Sequence, residues 1–376
     1  MKFSNWFGKK STKSSESETS IPASVEKVTK TTPNKNTLKV QVFDALKNIS
    51  TANFPEGLFG RMSVVITDKG ASGSDVLITT PFYPGAVESE LSEALLKVLP
   101  DNISIHFNYS PVHPPSSLPQ KAKIVIAVAS GKGGVGKSTV TANLAAAAAQ
   151  LGHKVGVLDA DIYGPSIPMM FGLQGENVSS FDEKTMEPLF KYDVALNSIG
   201  FLVPADKATI WRGPMASRAL MQLVNETNWP ELDILFVDMP PGTGDIQLTM
   251  SEQIKCHAAI IVTTPQNIAL ADAQKGIEMF QKVNTPILGV VENMSQFTCP
   301  DCGASHTLFG AGGGSLCAEK HKIPLLAQLS LKPEIRNQGD IGKPFSLLDT
   351  NNEYQKLVFS LMMHMSNQTE QRILTL

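Results

Sequence analysis

The spacing of apolar and polar positions changes character partway along this chain. Beyond residue 121, short apolar runs, most of them closing on one polar residue, recur at 124–128, 155–159, 234–238, 258–263 and 287–292. Runs of that length with no polar alternation predict strands covered on both faces. The stretches between them have helical spacing, so parallel pairing through right-handed crossovers is expected. Upstream the pattern is that of a small α+β module over residues 37–110. Helical periodicity at 38–49 is followed by strands at 62–67 and 76–80, with Lys69-Gly70-Ala71-Ser72-Gly73 as the turn between them. A second helix is expected over 85–99, and alternation at 103–109 predicts a half-exposed strand. The prolines at 111, 114 and 115 mark residues 111–120 as a linker, because proline breaks both helix and sheet. Residues 1–36 are rich in Lys, Ser and Thr and are expected to form a disordered tail. The predicted organisation is therefore tail, α+β module (37–110), linker and parallel α/β domain (121–376).

Ligands of open parallel sheets bind beyond the carboxyl ends of the strands. The polar motifs fall there. The first strand is followed by Gly131-Lys132-Gly133-Gly134-Val135-Gly136-Lys137-Ser138-Thr139, and an alanine-rich run at 141–150 reads as a helix. Strand, glycine loop and helix make a phosphate cradle, because glycines let backbone N–H groups turn inward and the helix N-terminus adds positive charge. Residues 131–139 are the expected ATP contacts. Lys137 would reach the β- and γ-phosphates, and Ser138 would ligate Mg²⁺. The second strand ends in Asp159-Ala160-Asp161. Two carboxylates there are costly unless a metal or water uses them. Asp161 is expected to position the attacking water and Asp159 to hold Mg²⁺ indirectly, both facing one way if the strand continues. The strand at 234–238 ends in Asp238, expected near the metal, and Pro240-Pro241-Gly242-Thr243-Gly244-Asp245 forms a stiff loop suited to switching. Lys132, Lys137, Asp161 and Asp238 are the catalytic candidates. Gln266 and Asn293, each just past a predicted strand, are candidates for base recognition, and Asn293 is counted among the ATP contacts.

Four cysteines in 376 residues do not form a disulfide framework. Cys299-Pro300-Asp301-Cys302-Gly303 places two thiols where they can share one soft metal centre. Two ligands are half of what Zn²⁺ or an iron–sulfur cluster needs. The set could be completed by Cys317 with His306 or His321, left as a redox disulfide, or completed by the same pair from a two-fold-related subunit. Cys256 and Cys317 are expected to be structural thiols.

Charge and length exclude several classes. A net charge of −3 gives no case for nucleic-acid binding. No run of 18 apolar residues exists, so no membrane span is expected. Glu16, Glu18 and Glu26, with no arginine in the first 36 residues, argue against a transit peptide. A cytoplasmic protein is expected.

The loop with its early lysine, Lys132, resembles the deviant Walker A loop of the MinD/ParA/nitrogenase iron-protein group. That resemblance implies a nucleotide-dependent dimer in which Lys132 contacts the partner's nucleotide. With Asp159-Ala160-Asp161-Ile162-Tyr163-Gly164-Pro165-Ser166, Trp211-Arg212-Gly213-Pro214-Met215, the Asp238–Asp245 stretch and Cys299-Pro300-Asp301-Cys302 in this order, residues 120–345 resemble the Mrp/ApbC family of iron–sulfur cluster carrier ATPases. The resemblance implies an ATP-binding homodimer holding a [4Fe–4S] cluster between the Cys299/Cys302 pairs of two subunits. It would receive the cluster from an assembly scaffold and pass it to apo iron–sulfur proteins. Residues 37–110 resemble the small iron–sulfur assembly domain of bacterial members, but Tyr83 stands where that domain often has cysteine, so docking is expected of it rather than cluster handling. The competing reading is a MinD/ParA-like regulatory or partitioning ATPase with structural zinc at the thiol pair. It would need a basic amphipathic C-terminal helix or basic face, and the apolar stretch at 359–365 is not basic.

Overall fold

A computed structural model describes residues 35–60, 62–110, 121–182, 184–202, 213–348 and 352–374. The expected tail lies outside these residues except for its last two, which begin the first helix, and the expected linker lies outside them entirely.

The N-terminal module runs α1 (Lys35–Asn48), β1 (Ser63–Asp68), β2 (Ser74–Thr80), α2 (Glu88–Leu96) and β3 (Ile103–Tyr109). Strands β1 and β2 are antiparallel, and β3 returns parallel to β2 after α2. Leu38, Val42 and Leu46 of α1 and Leu91 and Leu95 of α2 are buried, at the four-residue spacing that places them on one helix face.

The second part runs β4 (Ala122–Ala129), α3 (Lys137–Gln150), β5 (Val155–Asp159), α4 (Ile167–Met170), β6 (Leu189–Lys191), β7 (Val194–Ser198), α5 (Gly213–Glu226), β8 (Leu232–Asp238), α6 (Asp245–Gln253), β9 (Ala258–Thr263), α7 (Asn267–Lys282), β10 (Ile287–Thr298), β11 (Ser305–His306), α8 (Gly313–His321), β12 (Leu325–Leu331), α9 (Pro333–Asp340) and α10 (Glu353–Leu374). Nine strands form one sheet in the order β11-β10-β9-β4-β8-β5-β7-β6, with β12 also on β10. Pairing is parallel throughout except for the short β6 and β11. Every residue of β5, β8 and β9 is buried, because helices cover both faces. Helix α3 is buried nearly all round, and its alanines 145–148 let it lie close between the sheet and α10.

Two expectations need correction. Strand β5 stops at Asp159, and Asp161 lies in the turn beyond it, so the two aspartates are not successive same-face strand positions. Strand β10 does not end at Glu292 but continues to Thr298, carrying Asn293 inside it.

The module meets the α/β part through aromatic contacts. Phe54 and Phe82 stack at 5.3 Å, and both lie against Phe359 of α10. Tyr83 stacks on Tyr109 at 3.9 Å, and both rings meet the edge of His153, three residues beyond α3. Burial holds His153 down to about 4, and neither ring nitrogen has a hydrogen-bond partner among the described residues. Tyr83 is thus a packing residue.

Candidate functional site

The loop between β4 and α3 needs glycine for two different reasons. At Gly131 a Cβ would run into the backbone of Asp272. Gly134 and Gly136 have left-handed backbones, with φ +84 and +83, which a side chain would strain. Gly136 is also the N-cap of α3, so the loop's amides lead straight into the helix N-terminus.

Five polar side chains converge beneath the loop. Lys137 Nζ lies 2.7 Å from Asp238 Oδ2 and 3.7 Å from Asp161 Oδ2. Ser138 Oγ donates to Asp238 Oδ2 at 2.6 Å, and Thr141 Oγ1 lies 2.7 Å from Asp238 Oδ1. Asp238 is wholly buried at the end of β8, so these partners offset its desolvation. Asp159 takes the Ser198 hydroxyl at 2.9 Å and the backbone N–H groups of Asp161 and Ile167 at 3.2 Å. Burial first, and the Asp238 charge second, push Asp159 upward. Burial also raises Asp161, against the pull of Lys137. Asp161 Oδ1 is buried with no partner among the described residues, an acceptor free for a water or metal-bound water. The chemistry of this set, a hydroxyl and carboxylates beside a lysine and open amides, fits Mg²⁺ and phosphate.

A cavity of about 200 Å³ above the loop is lined by Lys132, Lys137, Ser138, Asp161 and Pro241. A second, largely apolar cavity of about 350 Å³ shares Gly136 and Thr139 with it and is lined by Asn293, Met294, Arg336 and Phe345. Gln266 lines neither and precedes α7 without a side-chain cap bond. The Lys132 ammonium makes no ion pair among the described residues, while its carbonyl accepts from Ser130 at 2.9 Å. Trp211 and Arg212 lie outside the described residues.

Cys299 and Cys302 sit at the tip of a hairpin made by the end of β10 and β11, which pair at Phe297–His306 and Thr298–Ser305. Cys299 N–H donates to Ala304 O, and Gly303 N–H donates back to Cys299 O, each at 2.9 Å. Gly303 turns the chain at φ +71. Neither thiol is in a disulfide; Cys299 is half-buried and Cys302 exposed. Hydrogen bonds from the Cys302 and Asp301 backbone pull Cys299 below the usual thiol range. Among the described residues no group of three or more His, Cys, Asp or Glu is gathered to hold a metal. His306 and Cys317 are therefore not assembled with the pair. Cys317 is buried in α8, and burial pushes Cys256 up to about 12.

Sequence reasoning passed over Thr141, Ser198 and Glu292. Thr141 stands four residues after Lys137, on the same face of α3, so helical spacing could have pointed to it. Ser198 ends a strand with no clear periodicity, and nothing local marks it.

A mostly parallel sheet with this loop at its strand ends defines a P-loop nucleoside triphosphatase. The ParA family model, described as NUBPL iron-transfer P-loop NTPase, matches residues 121–366, and the chain belongs to that family. It is 54% identical over 239 residues to an iron-sulfur cluster carrier protein of Haemophilus influenzae, covering 64% of this chain and 65% of that one. To the protein of the same description in Escherichia coli K12 it is 53% identical, over 62% of this chain and 63% of the other. These matches span slightly less than two thirds of the relatives' length. A Deinococcus radiodurans protein of that description is 41% identical over 80% of this chain and 87% of its own. Among solved structures, a nucleotide-binding protein of Archaeoglobus fulgidus in complex with ADP superposes with a TM-score of 0.55 at 39% identity, over 62% of this chain and 91% of the other.

Proposed function

We propose that this protein is an ATP-hydrolysing carrier that holds an iron–sulfur cluster as cargo and delivers it to apo-proteins. The observation that carries the reading is a complete phosphate loop in the same chain as an incomplete thiol pair at the tip of a surface hairpin. A nucleotide site needs only one chain. A cluster site with two thiols needs two more ligands, and a second copy related by a two-fold axis supplies them. The cargo is a [4Fe–4S] cluster bridging the two hairpins. The homodimer also gives Lys132 its use, reaching the partner's nucleotide across the interface. Within each subunit Lys137 and the loop amides hold the phosphates, and Ser138 with Asp238 faces Mg²⁺. Asp161 orients the attacking water, and the apolar cavity beside Asn293 receives the base. A scaffold would donate the cluster and apo iron–sulfur proteins would accept it, in the cytoplasm. No described helix is long and apolar enough to cross a membrane.

The test is anaerobic reconstitution with iron and sulfide, with metal and sulfide measured per dimer in wild type and Cys302→Ala. About four irons and four sulfides per dimer, lost in the variant, is the expected result. A colourless protein holding zinc would replace the carrier with a regulatory ATPase stapled by metal.

A further inference from the structure

The planar Val135–Gly136 peptide is shared between two structures. Its N–H belongs to the phosphate loop, and its carbonyl accepts from Asn293 Nδ2 of β10 at 2.9 Å. We propose that Asn293 and Met294 form a hinge in β10 that transmits the nucleotide state of this peptide to the Cys299–Cys302 hairpin. The carrier reading supplies the purpose of such a link, and the geometry supplies the link itself.

The strand has one half held on both sides and another held on one side only. Up to Glu292, β10 is held by β9, whose last paired residue is Thr263 opposite Glu292, and by β12 on the other side. Glu292 is wholly buried, and its carboxylate accepts from the Gly314 backbone N–H and from Gln328 Nε2. Beyond Asn293 the pairing with β9 is over and the register with β12 slips before Phe297. At the break Met294 has φ +58, a left-handed backbone that a non-glycine residue keeps only where neighbours enforce it. The arm from 295 to 298 is partly exposed, held by Ser295 Oγ on Leu329 O at 3.0 Å, by the shifted pairing of Phe297 with Leu331 of β12 and by pairing with β11. Cys299 follows directly.

The loop and the hinge touch without slack. A Cβ on Gly136 would collide with Asn293 Nδ2 and lie 3.6 Å from Met294 Cε. The peptide is planar, so phosphate drawing on its N–H tilts the carbonyl that Asn293 holds. The half held on both sides cannot follow, because it is fixed in the sheet. The motion passes to the arm, whose far end, six residues on, is the first thiol, at most about 20 Å away.

Thiol alkylation on the apo protein tests the hinge without any cluster. Rates at Cys299 and Cys302 are measured by mass spectrometry without nucleotide and at saturating Mg²⁺–ATP, occupancy being verified by titration for each variant. The wild type is expected to change its rate about fivefold or more, the range of ordinary allosteric coupling. Asn293→Ala, compared at saturation, and Met294→Gly, which frees the backbone at the break, are both expected to bring the ratio close to one. If Asn293→Ala no longer binds ATP, Met294→Gly alone decides. A wild type whose thiols ignore ATP, or a Met294→Gly variant that keeps the full ratio, overturns the hinge. Failure to hold iron and sulfide sinks the carrier reading and leaves this measurement untouched.

Discussion

At the loop, Lys137, Ser138 and Thr141 are all spent on one buried carboxylate, Asp238, and the groups that would meet phosphate and magnesium already touch each other. At the hairpin, Cys299 and Cys302 are held by bonds within the turn itself, on an exposed tip with no further ligand among the described residues. One site is charged and largely buried, its groups paired with one another except at Asp161 Oδ1. The other is open, and its chemistry is left for something else to finish. Preorganised dipoles and charges suit a reactant whose charge must be stabilised during a reaction. A pair of solvent-facing thiols on a small turn suits a cargo that must enter and leave intact. On the proposed reading, the difference separates an internal catalytic site from an external delivery site.

The sharpest way to break that contrast is to remove the loop cation. Lys137→Ala leaves Asp238 buried without its counter-ion, and breaking such a pair costs about 3–5 kcal/mol. The expected outcome is loss of Mg²⁺–ATP binding by calorimetry and a lower thermal midpoint, with cluster content after reconstitution nearly unchanged. Loss of both activities together would show that the two sites are not separable. The converse substitution is Cys302→Ala. Cluster content should drop to background while ATP affinity, measured on the cluster-free protein, stays within about twofold, because the substitution leaves the loop's own contacts in place. A variant that keeps its full cluster would rule out the four-thiolate site.

Gly136→Ala probes the place where the two regions meet. The left-handed backbone alone should cost about 1–2 kcal/mol in chemical denaturation, and the collision with Asn293 adds to it. ATP affinity should fall with stability. An unchanged denaturation midpoint would mean that the loop relaxes freely. The smallest effect concerns acidity. Because backbone hydrogen bonds lower Cys299 in the native hairpin, its thiolate survives to lower pH than in the unfolded chain. Its alkylation rate should therefore fall only below the usual thiol range of about 8.5, and denaturant should move the midpoint upward. Identical native and denatured profiles would show that the hairpin does not tune the thiol.

Much of the architecture was legible because it depends on local signals. The apolar runs at 124–128, 155–159, 234–238 and 258–263 fall within β4, β5, β8 and β9, since a strand covered on both faces has no polar residue to disguise it. The loop was legible because its residues are contiguous. What was hidden depends on long-range placement. Asn293 reads as the end of a strand because it is polar, yet it lies inside β10 with its amide on a carbonyl 158 residues away. Strand β7 carries Asn197 and Ser198, which look like loop residues until Thr227 and Asp159 appear as their buried partners. Asp161 could be placed near Lys137 from its motif, but not off the strand, because nothing local shows where β5 stops.

The aromatic contact at His153 decides from which side this molecule can be held. His153 lies just past the carboxyl end of α3, close to the Lys123–Asp233 pair at the entry edge of the sheet. The nucleotide loop and the thiol hairpin lie at the exit edge. Helix α3 is a rod of 14 residues, about 20 Å long, with the phosphate loop at its head and the N-terminal module seated at its foot. On the proposed reading, a protein that grips the module would stand behind both sites and obstruct neither, so the chain could be tethered while nucleotide and cargo come and go.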